Sequence, residues 1–485
     1  MAGISTKRHG NRKPTGTKRT TRRRLAMTSP AMEMLEDRRM LAITGFDFTG
    51  GMLQFDVAGA DNITISQLGG DLIVSGNSDY HKLVGQAGDL KGISIAGDNG
   101  PTTQQVTIAS SFSGLNQGVD IAKIDNLIFS GALSGDDFTL GGSGYFSVYT
   151  ASPIVADDFS AIFGGSVSIQ SNVTAESFTV VGKTYSTPSN VAVTTSGLGG
   201  INIQATGGSL NPRGTYEAQG AGGITLAGSS IQTDQLTAGT GGLTVSGGNV
   251  WFHGAIDSGS GPVNFDGMNS VVLFKGITAE SLSAVGVGNF SSSSTTPVTI
   301  QGGDMSIQTT TGGITIQGPL TTDGGDLSLK TDSLAQSVNV RSIDTNGGDF
   351  SMQGGSFSNL TGDILNTISA DSTVAGDVVI ESTNTVGIHG PVTVGSFKSE
   401  GSKSFNGSGA FAIEATKGDI RLGTTVSQLT VAGLLETTSL TGDIYLTSPA
   451  NSQTVTRDLI TNGGNIYAAG NDFQTLTGKV IETNG

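Results

Sequence analysis

The chain has 485 residues, 75 of them glycine, with no cysteine and only 13 % charged residues. The lack of cysteine excludes disulfide frameworks and thiolate metal sites, and the sequence has no run of 18 or more apolar residues that would predict a transmembrane helix. Residues 1–42 carry 11 basic and three acidic residues (+8), and the remainder carries 14 basic and 37 acidic residues (−23), so nucleic acid is not an expected partner of the body.

The first predicted segment is a basic leader. Residues 1–24 are rich in Lys, Arg, Thr and Gly and have almost no large apolar side chains, which predicts disorder. Ser29 and Pro30 are favourable at the start of a helix, so one short helix is predicted over 29–41. The apolar stretch that follows the basic region of a secretory signal is missing after Leu25.

The leader ends in a distinctive segment of eight residues: Leu35, Glu36, Asp37, Arg38, Arg39, Met40, Leu41 and Ala42. This segment resembles the N-terminal motif written LEPRxLL, which heads many large extracellular proteins of planctomycete-type bacteria. Asp37 stands in place of the proline of that motif, and Met40 in place of the first of its paired leucines. The resemblance covers the leader alone, and it implies sorting to the cell surface or the exterior.

Residues 43–200 form the second predicted region. Glycine-bounded apolar phrases recur there at uneven spacing, together with a cluster of aromatic residues: Phe129, Phe138, Tyr145, Phe146, Tyr149, Phe159 and Phe163. We interpret this region as early coils of a β-solenoid with longer loops, or as a cap, because the open end of a solenoid needs protection.

Residues 201–485 contain a regular repeat. A Gly-Gly-Asp/Asn phrase followed by alternating apolar residues starts at Gly302, Gly324, Gly347 and Gly463, and steps of 22 and 23 residues separate Asp304, Asp326 and Asp349. Shorter Gly-Asp-Ile phrases start at Gly418 and Gly442. Alternation predicts short strands with one buried face, and glycine allows sharp turns between them. The fold class is therefore predicted as all-β, a parallel β-helix (β-solenoid) of about 22–24 residues per coil. The competing interpretation is an array of β-sandwich modules, which needs periods of about 80–100 residues.

Two segments, GGITLAGSSIQTDQLTA from Gly222 and SIDTNGGDFSM from Ser342, carry a second resemblance. They resemble the glycine-rich solenoids of filamentous-haemagglutinin and autotransporter-type surface proteins. The resemblance implies a surface role for the class and points to no individual protein.

Few residues carry a recognisable chemistry. The four histidines, at 9, 81, 253 and 389, are too far apart in sequence to suggest a zinc site. Asp136-Asp137 and Asp157-Asp158 are the adjacent acid pairs of the body, and we interpret them as solvated turns before strands. Paired carboxylates on a β-helix also suit a polysaccharide lyase or glycoside hydrolase, which is the enzymatic alternative. No catalytic residue is predicted.

The recurrent aspartates and the single tryptophan each have two interpretations. Asp304, Asp326 and Asp349 are predicted to cap their own turns, and the alternative is a Ca²⁺ ion bridging the stacked carboxylates. No other cofactor is predicted. Trp251 is interpreted as a core or stack-end residue, and the alternative is stacking on a sugar ring.

The sequence therefore predicts an exported, non-enzymatic structural or adhesive repeat protein at the cell surface or outside the cell, with glycans or other surface proteins as partners. The alternatives are the carbohydrate-active β-helix and an N-terminal fragment of a larger surface protein. Residues 481–485 repeat the lead-in of residues 460–463, which suggests a truncated array or an open last coil suited to end-to-end association.

Overall fold

The computed structural model describes residues 43–77, 81–98, 103–149, 153–293, 295–407, 411–449, 453–475 and 478–484. The predicted helix over 29–41 and the sorting segment 35–42 lie outside these residues. Leu41–Gly485 forms one compact unit.

The described part of the chain opens with antiparallel strands. These are β1 (Ile43–Thr49), β2 (Met52–Val57), β3 (Asn62–Leu68), β4 (Asp71–Ser75) and β5 (His81–Gln86), followed by a 3₁₀ helix at Ala87–Asp89. β1 pairs with β2, and β3–β4–β5 form a meander, all antiparallel. β2 and β3 also pair in parallel with β6 (Gly92–Gly97) and β7 (Gln105–Ile108), so the hairpins lead directly into the first coils.

The early coils contain strands of two to fourteen residues. They are β8 (Phe112–Leu115), β9 (Val119–Ile124), β10 (Asn126–Phe129), β11 (Leu133–Gly135), β12 (Phe138–Gly142), β13 (Phe146–Val148), β14 (Ile154–Val155), β15 (Asp158–Phe163), β16 (Ser166–Ile169), β17 (Val173–Gly182), β18 (Thr184–Thr187), β19 (Ala192–Ala205), β20 (Ser209–Pro212), β21 (Thr215–Ala218), β22 (Ile224–Thr233), β23 (Gln235–Ala238), β24 (Leu243–Phe252) and β25 (Ile256–Asp257).

The later coils are more uniform. Their strands are β26 (Val263–Asp266), β27 (Ser270–Leu273), β28 (Ile277–Ala279), β29 (Leu282–Val287), β30 (Phe290–Ser292), β31 (Val298–Ile300), β32 (Met305–Thr309), β33 (Ile314–Ile316), β34 (Leu320–Thr322), β35 (Leu327–Thr331), β36 (Ser337–Val340), β37 (Ile343–Asp344), β38 (Phe350–Gly354), β39 (Ser356–Asn359), β40 (Leu365–Asn366), β41 (Val378–Ser382), β42 (Thr385–Ile388), β43 (Val392–Val394), β44 (Phe397–Ser402), β45 (Ser404–Gly407), β46 (Ile413–Ala415), β47 (Ile420–Thr424), β48 (Leu429–Val431), β49 (Leu435–Thr437), β50 (Ile444–Thr447), β51 (Gln453–Thr456), β52 (Leu459–Thr461), β53 (Ile466–Ala469), β54 (Asp472–Thr475) and β55 (Ile481–Thr483).

From β25 onward, each strand pairs in parallel with the strand three positions further along the chain, which gives this part of the solenoid three faces. From β26 onward, face A contains β26, β29, β32 and so on to β53; face B runs from β27 to β54, and face C from β28 to β55. The longer strands β22 and β24 turn a corner and serve faces A and B in succession. The predicted all-β parallel solenoid is confirmed, and it winds about 17 turns.

The alternation of the sequence sets which side chains point inward. On face A, in-register pairing stacks Leu282, Met305, Leu327, Phe350 and Val378, all of them buried, in one column along the solenoid axis. Each coil presents its apolar face to a shared interior, so burial in one coil depends on the coils above and below it.

Most of the aromatic cluster of the early coils lies in this interior. Phe159 is 1 % exposed, and its ring centroid lies 6.4 Å from that of Phe138, 6.3 Å from Phe146 and 5.2 Å from Phe178. Tyr149, by contrast, is 42 % exposed. The cluster is therefore mainly a stacked core that links successive coils.

A polar network lies within the core at one level of the solenoid. Tyr185 and Tyr216 are fully buried with their hydroxyls 3.0 Å apart, and Thr187 Oγ1 lies 2.7 Å from the Tyr216 hydroxyl. Thr187 also donates to the carbonyl of Arg213 at 3.0 Å. Burial raises the pKa of both tyrosines well above the ordinary value, so they stay neutral throughout the physiological range.

Replacement of Tyr216 by Phe is expected to lower the free energy of unfolding by about 1–3 kcal/mol. The change removes a hydroxyl that both Tyr185 and Thr187 contact; Thr187 keeps its bond to the carbonyl of Arg213, and the buried Tyr185 hydroxyl loses the Tyr216 partner. Guanidinium denaturation measures the loss, and Tyr149→Phe on the surface is the matched control. Equal stability of the two variants would contradict a structural role for the network.

Candidate functional site

The Gly-Gly-Asp/Asn phrase forms the corner between face C and face A. Its first glycine adopts a left-handed backbone conformation: φ is +95° at Gly302, +88° at Gly324, +111° at Gly347 and +109° at Gly463. A side chain is strained in this region, so the corner requires glycine here.

The second glycine of the phrase lies against the neighbouring coil. A Cβ atom at Gly325 would lie 1.8 Å from the carbonyl oxygen of Gly303, and one at Gly348 would lie 2.1 Å from that of Gly325. These contacts are with backbone, which cannot move aside locally. The second glycine is therefore required by the close approach of successive corners.

The aspartate of the phrase bonds to the next coil. Asp326 N donates to Asp304 Oδ1 at 2.9 Å, Asp349 N to Asp326 Oδ1 at 2.9 Å, and Asp377 N to Asp349 Oδ1 at 2.7 Å. The same arrangement returns where Asn465 N donates to Asp443 Oδ1 at 2.7 Å. The prediction that each aspartate caps its own turn is wrong for these residues, because the carboxylate reaches a backbone N–H one coil away.

Asn465 ends this series of aspartates, and its side chain also points to the previous coil, where Nδ2 donates to Asp443 Oδ1 at 3.4 Å. No group of three or more His, Cys, Asp or Glu side chains suited to hold a metal ion occurs in the part of the chain that the structure describes. A calcium ion bridging the column stays a prediction, and an unchanged melting temperature after chelation would dispose of it.

Asp443 gives this column a testable pH dependence. The backbone N–H of Asn465 and then the Tyr445 hydroxyl hold the pKa of Asp443 below its ordinary value of 3.8. A lowered pKa means that the charged form stabilises the folded state above about pH 3.8, and this contribution is lost as the pH falls through the folded-state pKa.

Asp443→Ala is expected to lower the free energy of unfolding at pH 7 by less than about 1 kcal/mol, because the site is partly solvated. Asp443→Asn keeps an acceptor and is expected to cost less, and its difference from the wild type should shrink between pH 7 and pH 3. Guanidinium denaturation at both pH values measures this. A difference that is the same at pH 7 and pH 3 would contradict the assigned charge effect.

A column of buried hydroxyls precedes the same corner. The side chains of Thr322, Thr345 and Thr461 are buried, and each donates to the carbonyl of the second glycine of its own phrase, at 2.7 Å for Thr461 and Gly464. The sequence interpretation missed this role. The signal is a threonine three residues before the second glycine, as in Thr345 and Gly348.

The two predicted acid pairs are brought together. Phe138 and Phe159 are register partners, so Asp137 lies beside Asp158, and Asp158 N donates to Asp137 Oδ1 at 3.3 Å. The four aspartates of the pairs are exposed and immediately precede or begin face A strands. The interpretation as solvated turns fits this placement, and their stacking across coils was not predicted.

The remaining singled-out residues are dispersed. His253 stacks on Phe274 with ring centroids 4.8 Å apart, and the backbone N–H of His389 donates to Asn359 Oδ1 at 2.7 Å. Trp251 points outward from face B and is half-buried between the buried Val250 and Phe252, so its placement in the core is wrong. Strict alternation between the inward-pointing Val250 and Phe252 predicts that Trp251 points outward.

The outer surface of face A changes its chemistry along the solenoid. The central outward position of each face A strand, here the middle column, carries small polar residues in seven successive coils: Thr225, Thr244, Asn264, Ser283, Ser306, Ser328 and Ser351. The next five positions are Val379, Lys398, Arg421, Tyr445 and Tyr467. Face A is therefore chemically specialised from Val379 onward.

The last four of these residues form the cation–aromatic patch (Lys398, Arg421, Tyr445 and Tyr467). The Arg421 guanidinium lies 4.0 Å from the ring centroid of Tyr445, and the rings of Tyr445 and Tyr467 stack with centroids 4.8 Å apart. A hydrogen bond from Arg421 to Asp419 raises the pKa of the guanidinium, and Arg421 Nη2 lies 2.7 Å from Asp419 Oδ2. The patch is thus ordered by stacking and by ion pairing.

Two adjoining depressions border the patch and together form the face A groove. One, of about 520 Å³, is lined by residues that include Asp377, Val379, Ser396, Lys398, Asp419 and Arg421. The other, of about 370 Å³, is lined by residues that include Gln353, Val379, Glu381, Lys398, Glu400 and Gly401. They share Val379 and Lys398, so the groove crosses face A from one corner to the other.

The sorting segment predicted at 35–42 lies outside the described residues. The one helical segment that the structure describes spans only residues 87–89, and none of the described helices is long and apolar enough to cross a membrane. No family model matches the chain, and neither the curated proteins nor the solved structures contain a match to it.

Proposed function

We propose that this chain is an exported, non-enzymatic repeat protein with a structural or adhesive role at the cell surface or outside the cell. The observation that carries the proposal is the middle column of face A, where seven successive coils present Thr, Ser or Asn to solvent in register. A stacked row of hydroxyl and amide groups suits many weak hydrogen bonds to one extended partner, and their combined strength exceeds that of each contact.

Export is supported by the sequence of the leader. The resemblance of residues 35–42 to the LEPRxLL motif, directly after a basic segment, implies delivery to the surface. The body has few charges and many hydroxyls on a stacked sheet, a composition that avoids repulsion between like charges in neighbouring coils.

Glycans or other surface proteins are the proposed partners. The net charge of −23 on residues 43–485 argues against nucleic acid. End-to-end association of solenoids through unpaired strand edges is a further prediction, and dilution-dependent size in sedimentation measurements would test it.

Protease treatment of intact cells that produce the chain with a tag at each end tests the location. The proposal predicts that at least one tag is removed while a cytosolic marker stays intact. Retention of both tags together with fractionation in the cytosol would contradict it.

A polysaccharide lyase or glycoside hydrolase is the second candidate. The observation that favours it is the face A groove, where Glu381 and Glu400 lie on neighbouring strands close to Lys398. Carboxylates flanked by a cation suit acid–base chemistry on a sugar. Release of reducing or unsaturated ends from a panel of neutral and acidic glycans would establish this candidate in place of the first.

A further inference from the structure

The face A groove is built from three outward columns in four successive coils. From one corner to the other, one coil presents Asp377, Val379 and Glu381, and the next presents Ser396, Lys398 and Glu400. Strands on either side supply Gln353 and Arg421. Because these groups lie on paired strands or directly before them, the strand pairing sets most of their spacing.

The groove exists because short residues stand between long ones. Val379 interrupts a middle column that continues as Lys398 and Arg421, and Gly423 takes the position next to Glu400. A Cβ atom at Gly423 would lie 3.4 Å from Glu400 Cγ, an ordinary contact distance, so Gly423 lies directly against Glu400. Val379 therefore forms an apolar floor, and polar side chains form the walls.

The walls interleave positive and negative charge. Lys398 Nζ lies 3.7 Å from Glu400 Oε2, and Arg421 Nη2 lies 2.7 Å from Asp419 Oδ2. Gln353 Nε2 donates to Glu381 Oε2 at 3.3 Å. Four of the 14 basic residues of the body, at 398, 403, 417 and 421, fall in this short stretch, which makes it less acidic than the rest of a body of charge −23.

This charge pattern selects among ligand classes. An anionic polymer would meet the carboxylates of Asp377, Glu381, Glu400 and Asp419, and a cationic one would meet Lys398, Lys417 and Arg421. A sugar hydroxyl donates to a carboxylate and accepts from an ammonium or guanidinium group at once. Its ring also has apolar C–H faces that suit a floor such as Val379. A neutral chain of sugars can therefore bond to both the cation and the carboxylate of pairs such as Lys398–Glu400 and Arg421–Asp419.

We propose that the face A groove binds a neutral oligosaccharide laid across the sheet, with its hydroxyls shared between Lys398 and the carboxylates of Glu381 and Glu400. This inference rests on the proposed role in glycan contact and assigns that role to one place on the solenoid. The two depressions are open to solvent along the sheet, which suits an extended chain lying on the surface.

Titration calorimetry of the full chain with cellohexaose, mannohexaose, maltohexaose and oligogalacturonate tests the proposal. At least one neutral hexasaccharide is expected to bind with a dissociation constant of about 0.1–1 mM. Lys398→Ala and Glu381→Ala are each expected to weaken that binding about tenfold, because each removes a charged partner of a hydroxyl.

Lys330→Ala is the matched control. Lys330 Nζ lies 3.7 Å from Asp332 Oδ1, so it has the same kind of exposed ion pair on the same face; it lies outside the groove lining, one coil before Gln353 at the edge of the groove and two coils before β41. This variant should bind as the wild type does. Equal melting temperatures of all variants show that the substitutions leave the fold intact, which is expected because Lys398 and Lys330 are both substantially exposed.

Three results would overturn the site. They are no binding of any neutral hexasaccharide at about 10 mM, binding of oligogalacturonate alone, and equal loss of affinity in Lys398→Ala and Lys330→Ala. Failure of the proposed surface function can be told apart from failure of the binding site. If the protein is cytosolic but binds the sugar as expected, the binding site is supported and the surface function is contradicted. Shortening of the bound sugar also keeps the site, and it contradicts the non-enzymatic role.

Discussion

Replacement of Phe159 by Ala is expected to lower the local opening free energy of the early coils by about 3–5 kcal/mol. Phe159 is 1 % exposed and contacts the rings of Phe138, Phe146 and Phe178, so the change opens a cavity shared by several coils. Amide hydrogen exchange in β12, β15 and β17 measures the effect. The loss should be local, because each coil of a solenoid contacts mainly its neighbours.

Ile162→Ala is the matched control for Phe159. Ile162 belongs to the same strand but is 54 % exposed, so its truncation is expected to change the opening free energy by less than about 0.5 kcal/mol. A cost at Phe159 no greater than that at Ile162 would show that the stacked phenylalanines do not form the core of the early coils.

Replacement of Gly348 by Ala is expected to cost about 3 kcal/mol, at the top of the range for overpacked sites. The new Cβ atom would lie 2.1 Å from the carbonyl oxygen of Gly325 in the neighbouring coil, and only a shift of backbone can relieve that contact. The loss should appear as faster hydrogen exchange in β35 and β38, the two strands that the shift would separate.

Gly324→Ala separates the two roles of glycine in the phrase. Its φ is +88°, but the nearest atom to an added Cβ is Asn346 O at 4.0 Å, so only backbone strain of about 1–2 kcal/mol is expected. If Gly324→Ala and Gly348→Ala cost the same, the close approach of successive corners is not what requires the second glycine.

The fold could be predicted because its determinants are local. Alternating residues such as Leu327, Ser328 and Leu329 define a strand with one buried face, and the regular steps between Asp304, Asp326 and Asp349 define the coil length. Neither alternation nor a repeat predicts the antiparallel pairing of strands β1 to β5. They belong to a region where spacing is irregular and no repeat fixes the pairing.

The site depended on contacts that a single coil does not contain. The bond from Asp349 N to Asp326 Oδ1 joins residues 23 positions apart, and it follows only once the register of neighbouring coils is known. The 28-residue step from Asp349 to Asp377 hides the continuation of the column, because the chain makes a longer excursion between β40 and β41. Once the register is known, Ser351, Val379, Lys398 and Arg421 can be placed in the same column of face A, where the residue type changes after Ser351.

Because of these contacts, the corner column and the middle column of face A differ in what limits their residues. The corner phrase holds successive coils together through glycine packing and the aspartate bonds, which leaves the middle column free to vary. In seven coils that column carries small polar residues, and in the next five it carries the residues of the groove and the cation–aromatic patch. The bonds between coils thus belong to the corner column, and the proposed binding residues extend from that column, where Asp377 and Asp419 border the groove, across the two columns beside it.

Spin-label distances along the middle column of face A measure the in-register parallel stacking of coils. The chain has no cysteine, so label-bearing cysteines can replace Thr225 and, in turn, Ser306, Ser328 and Ser351 with no native cysteine to remove first. These positions are four, five and six coils from Thr225. In-register stacking predicts distances of about 19, 24 and 29 Å, which rise by about 4.8 Å per coil. Distances that do not rise in equal steps of this size, as expected for separate β-sandwich modules, would contradict it.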